Sequence, residues 1–226
     1  MRRILASFAL LLGASCGLVS DDVGRFNLRF PSKQFTVDTA DWRLFGGSTA
    51  PSVACSLGCQ QSMSTLCGAS SCSVDCDDAT QTCQMHVGIA LRNDFDLAAE
   101  APEYQRIADQ PFISVTVDEV YFLIDENTLS TATPTLYVYM GPMSIGQPSD
   151  PDARLVGIID PLAPGRTGRV DVRFEGEGRQ VMKGYMDDFH MPFRVLVSGE
   201  ITVHGGDTLP TGRLVGSVQA DAHAGL

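Results

Sequence analysis

The chain has 226 residues, 44% hydrophobic and 19% charged, with a formal net charge of −11. That length holds one substantial core or two small ones. The acidic balance excludes a nucleic-acid partner, since no basic face exists to release counterions from phosphates, and it opposes binding to anionic lipid head groups.

The chain begins Met1-Arg2-Arg3, followed by an almost wholly apolar run over 4–14. This is the charged and apolar pattern of a secretory leader, too short to span a bilayer comfortably. Leu12-Gly13-Ala14-Ser15-Cys16 then resembles the cleavage motif of bacterial lipoproteins, in which small residues precede a cysteine that is lipidated on its thiol. Gly13 stands three places before the cysteine, where that family usually has leucine, and Leu12 lies one place earlier. The resemblance is confined to the leader. It implies a signal peptide over 1–15 and an acyl anchor, such as palmitate, on Cys16. Gly17 rather than Asp follows the cysteine, which in that family favours the outer membrane. The alternative is ordinary cleavage before Cys16 and secretion. That route leaves a free thiol on an exported protein, which is unusual. Residues 16–24 form the lipidated N-terminus and a short tether, and residues 25–226 a single β-rich domain with a cysteine-rich insertion at 51–83.

In that domain 25–30 (RFNLRF) alternates with period two, and a second strand is expected within 34–44. The insertion follows, with Cys55, Cys59, Cys67, Cys72, Cys76 and Cys83. An even number of cysteines in an exported chain predicts disulfides. Its few apolar residues cannot hold it by burial, so it is a stapled element rather than a core one. The two C-x3-C steps suggest two short helical turns packed as a hairpin, because i and i+4 share a helix face. That arrangement pairs Cys55 with Cys76, Cys59 with Cys72, and Cys67 with Cys83. Zinc or iron–sulfur binding is opposed by the oxidising location, and no C-x-x-C redox or haem motif occurs.

Beyond the cluster, Met85, Val87, Ile89 and Leu91 share one strand face, with Gln84, His86, Gly88 and Ala90 opposite. Residues 96–110 are the one fair helix candidate, with Pro102 in its first turn. Over 112–127 the alternation slips at Asp118-Glu119, which predicts a bulge or bend. Strands follow at 135–141, 153–160, 168–176, 191–205 and 212–221, divided by turn-rich runs. Residues 179–189 fit a strand or a short helix. About nine short strands predict a mainly β, antiparallel β-sandwich carrying the stapled insertion. Its core includes Val115, Val117, Leu136, Val138, Val156, Ile158, Phe193, Val195, Leu214 and Val218.

No complete catalytic signature is present, and no motif calls for a cofactor. His86 and His190 with an aspartate lack any zinc-ligand spacing. His204 ends a strand, and His223 falls in a loose terminus. Asp75, Asp77 and Asp78, or Asp150 and Asp152, offer oxygens to calcium but follow no EF-hand pattern. Tyr137 and Tyr139 share a parity and form a possible ligand face. Three functions compete. The first is a non-enzymatic, lipid-anchored envelope protein serving structure, adhesion or protein interaction. The second is a β-sandwich that binds a small molecule or carbohydrate. The third is a hydrolase with a spatial acid pair.

Overall fold

The computed structural model describes residues 26–42, 44, 47–63, 66, 72–100 and 114–225. The leader, Cys16, the tether, Cys67 and residues 101–113 lie outside them.

Period-two alternation produces two antiparallel sheets. The first orders β1 (Phe26–Arg29), β11 (Arg213–Gly225), β5 (Ser114–Asn127) and β8 (Gly168–Asp171), with β2 (Lys33–Asp38) also on β11. The second orders β3 (Cys72–Asp77), β4 (Thr82–Phe95), β10 (Phe193–His204), β6 (Leu136–Pro142), β7 (Arg154–Ile159) and β9 (Arg173–Phe174). Their facing sides meet in one cluster of buried residues, as in a β-sandwich. Phe35, Val37, Phe122 and Ile124 from one sheet and Leu136 and Val197 from the other surround a residual space of about 10 Å³. That is at the lower limit for one water, so side chains fill this part of the interior.

Size matching explains the close pairing of β5 with β11. Val115, Val117 and Val120 stand opposite Ala224, Ala222 and Ala220, and Ile124 opposite Gly216. The predicted slip at Asp118 is a bulge. Glu119 pairs with Asp221 and Val117 with Ala222, leaving Asp118 unmatched. A second, unanticipated bulge leaves Asp125 over, between Glu126↔Val215 and Ile124↔Gly216.

The expected core is buried except at Ile158, which is half-buried while Ile159 is buried. A bulge causes this: Val138 pairs with Gly157 and Tyr139 with Leu155, leaving Val156 as the extra residue. Ile158 therefore stands with Tyr137 on the outer face and Ile159 with Leu136 on the inner one.

The stretch expected as one strand over 168–176 is divided between the sheets. β8 pairs with β5 and β9 with β7. Val172 is buried at the crossing, and its N–H donates to the Val120 carbonyl. Residues 34–44 are likewise not all strand, since β2 gives way to a 3₁₀ turn, Thr39–Trp42, that buries Trp42. The helix expected over 96–110 is seen as one turn, α2 (Leu97–Glu100); its continuation and Pro102 lie outside the described residues. The ambiguous segment at 179–189 is helical, as α3 (Gly178–Asp187). Its Met182 and Met186 are buried, and Tyr185 packs 5.0 Å from the Phe193 ring. Phe193 stacks on Phe95, and both meet Phe30 from the other side. Burial raises the Tyr185 phenol above its ordinary pKa. His223 is not in a loose terminus: it lies within β11, with its Nδ1 2.9 Å from Asp118 Oδ2.

The hairpin expected in the insertion is half right. Its first half contains a 3₁₀ turn, Cys55–Leu57, and α1 (Cys59–Met63). Its second half is β3, an edge strand on β4. The bond Cys55–Cys76 forms as expected, but Cys59 pairs with Cys83 rather than with Cys72. Cys83 lies on the inner face of β4, directly under α1, and is thereby taken from the expected Cys67. Cys72 is also disulfide-bonded.

Candidate functional site

Antiparallel register places residues that are opposite one another on the same face. On the outer face of the six-stranded sheet this creates two adjacent rows. One runs Arg92, Leu196, Tyr139, Leu155 across β4, β10, β6 and β7. The other runs Ala90, Ser198, Tyr137, Ile158 across the same strands.

The connection from β6 to β7 folds back over part of the first row. Gly141 permits the approach, because a Cβ there would lie 2.8 Å from the Asp152 carbonyl oxygen and 2.9 Å from the Ile145 side chain. Ile145 is buried, and its carbonyl accepts a 2.8 Å hydrogen bond from Arg194 Nη1. Asp150 closes the turn by accepting from the backbone N–H groups of Gly146 and Gln147 at 2.6 and 3.0 Å. Those two bonds hold its carboxyl below the usual carboxylate range. Leu196 is thus buried although it belongs to the outer face.

A groove of about 230 Å³ remains beside this loop, lined by Ala90, Leu91, Arg92, Gly146, Pro148, Leu196, Val197 and Ser198. Its floor is shallow because Ala90 and Ser198 are small. Tyr137, 41% exposed, stands next to Ser198 across the strand pair, and half-buried Tyr139 next to Leu196. Tyr137 and Tyr139 therefore do share one face. Arg92 and Ser198 were missed in the sequence. The available signal was the run Gly88, Ala90 on the polar side of β4, which marks a face with space above it.

Arg92 is exposed and has no ion pair or hydrogen bond among the described residues. Its neighbour Asp94 is taken by Arg194, with Nε–Oδ1 at 2.6 Å and Nη2–Oδ2 at 3.0 Å. The Arg194 guanidinium holds the Asp94 carboxyl below its ordinary range.

The remaining candidates have structural partners. His86 bridges three strands on the outer face, with Nε2 3.1 Å from Asp75 and Nδ1 2.8 Å from Glu200. The Gln84 amide, then His86, lowers the Asp75 pKa. Asp77 accepts from the Ala79 N–H and the Thr80 hydroxyl, closing the β3–β4 turn. His190 lies between α3 and β10, its ring 4.3 Å from that of Phe189. His204 ends β10, where its N–H donates to Asp207.

Among the described residues, the one group of three metal-ligand types with donor atoms within 4.8 Å of one another is Cys55, Cys59 and Cys83. Their sulfurs are tied in disulfides and offer no thiolate to a metal. Cys16 and Cys67 lie outside the described residues. No described helix is long and apolar enough to cross a membrane. Comparison with protein-family models, curated proteins and solved structures finds no match for the chain.

Proposed function

We infer that the protein is exported, carries lipid on Cys16, and serves as a non-enzymatic envelope scaffold for structure, adhesion or protein interaction. The carrying observation is the pair of bonds Cys55–Cys76 and Cys59–Cys83, which fasten a segment poor in apolar residues to the edge strand β3 and to β4. Disulfides persist in oxidising compartments, and an exported location accounts for them and for the leader together. The close packing between the sheets around Phe35, Phe122 and Val197 fits a framework whose working surfaces are external. The odd cysteine, Cys16, then has its own use in the anchor, with the outer membrane favoured by Gly17.

Mass measurement of the mature protein tests this reading. Acyl chains on residue 16 are expected, and Cys16→Ser should move the protein from membrane to soluble fractions while leaving its circular dichroism unchanged. A mature product beginning elsewhere, or bearing an unmodified Cys16, overturns the anchor.

A further inference from the structure

We propose that the groove between the β6–β7 loop and strands β4 and β10 binds a single sugar ring bearing a carboxylate. Three independent features converge there. The first is charge. In a chain of net charge −11, Arg92 is an exposed guanidinium with no ion pair or hydrogen bond among the described residues, while the nearby Arg194 holds Asp94 in a close ion pair. A guanidinium fork matches a carboxylate bidentately. The second is shape. The groove volume, about 230 Å³, falls below the roughly 300–1,000 Å³ of sites for drug-sized ligands, and its small residues Ala90 and Ser198 let one sugar ring lie close to the sheet. The third is the wall chemistry. Pro148 and Leu196 line the groove with apolar groups and Ser198 with a hydroxyl, and exposed Tyr137 stands at its edge, opposite Ser198 in the strand register. This combination of apolar contact and convergent polar groups suits a ring with both C–H faces and hydroxyls.

The charges around the groove are compatible with an acidic ligand. Asp94 is paired with Arg194, Asp150 accepts two backbone N–H groups, and Glu200, in the next row, meets His86. Arg92 is left to meet the ligand's charge.

The test titrates the full chain, followed by two-dimensional NMR, with glucuronic acid, glucose, acetate and the dipeptide Ala-Ala at matched ionic strength. Glucuronic acid should bind at about millimolar affinity, with shifts concentrated at 88–92, 137–139, 146–148 and 196–198. Glucose should bind about tenfold more weakly, as should glucuronic acid to Arg92→Gln, since each loses the charge-assisted contact. Ala90→Leu, at an exposed position, should fill the floor and weaken both sugars without altering the melting temperature. Absence of glucuronic acid binding overturns the proposal. So does equal affinity for acetate, which would mean a bare carboxylate contact, or tighter binding of Ala-Ala, which would make the site one for peptide C-termini. Binding unchanged by both substitutions would place the ligand elsewhere and overturn it as well.

Discussion

Removing Cys55–Cys76 and Cys59–Cys83 one at a time separates chain entropy from packing. Cys59–Cys83 spans a sequence separation of 24 and Cys55–Cys76 one of 21; alone, each limits the unfolded chain by about 3.4 and 3.3 kcal/mol respectively. The loops interlock, however. With either bond in place, the other closes a path of about 11 residues, four from 55 to 59 and seven from 76 to 83, and its entropic contribution falls to about 2.8 kcal/mol. Entropy therefore predicts equal losses for the two single-bond removals. Packing breaks the tie, because Cys83 is 0% and Cys59 8% exposed whereas Cys55 and Cys76 are half-buried. Cys55→Ala/Cys76→Ala should cost about 3 kcal/mol, and Cys59→Ala/Cys83→Ala about 1 kcal/mol more. Urea unfolding followed by the single tryptophan, buried Trp42, should show midpoints lowered by about 1–2 M. A larger loss for the half-buried pair Cys55–Cys76 refutes the packing argument. No midpoint change for either pair refutes the coupling of the stapled segment to the sandwich.

Gly178→Ala should destabilise, against the usual gain of about 1 kcal/mol for that change inside a helix. A Cβ there would lie 1.8 Å from the Val156 carbonyl oxygen, so α3 must move off β7, at a cost of about 1–3 kcal/mol. A raised melting temperature would show that the two backbones are not in contact. The Asp94–Arg194 pair should matter near neutral pH and cease to matter in acid. The folded-state pKa of Asp94 is lowered, so its contribution is present above the unfolded value of about 3.9 and is lost as pH falls through the lower folded value. Asp94 is about half exposed, which limits the effect to about 1 kcal/mol. Asp94→Asn should therefore lower the urea midpoint slightly at pH 6 and leave it nearly unchanged at pH 2.5; an equal loss at both pH values would identify a packing defect instead.

The strands and the sandwich were legible because burial follows sequence parity wherever one face of a sheet meets a core. Even the Asp118 bulge showed, since apolar residues on both sides of it record the change of parity. The Val156 bulge did not. Its extra residue is itself apolar and turned inward, so Val156, Gly157, Ile158 and Ile159 give no polar mark of the slip, and Ile158 was misassigned. The crossing at Val172 was hidden for the opposite reason. Alternation continues unbroken from Arg169 to Phe174 while the hydrogen-bond partner changes from β5 to β7, and the partner is a nonlocal fact that parity does not encode.

The cysteine segment shows how a spacing can carry the correct contact through the wrong element. C-x3-C places both side chains on one face of a helix, because four residues are close to one turn, and also on one face of a strand, because four is even. Cys72 and Cys76 satisfy the rule as strand residues on β3, with Val74 buried between them. The bond Cys55–Cys76 survives the change of element, since it requires only that the two chain segments lie side by side. The remaining hairpin pairs depended on a helical rise of about 1.5 Å per residue in the second half, whereas a strand advances about 3.3 Å. The longer advance carries the chain around the tight turn at Asp77–Gln81 and brings Cys83 back opposite Cys76 in the β3–β4 register. There Cys83 faces inward beneath α1, within reach of Cys59. The groove beside β10 was illegible for a related reason: Arg92, Ser198 and Pro148 lie far apart in the chain and meet only through strand register and the folded-back β6–β7 loop. Local chemistry reveals that cysteines will pair and that tyrosines share a face, but which partners they meet is decided by register.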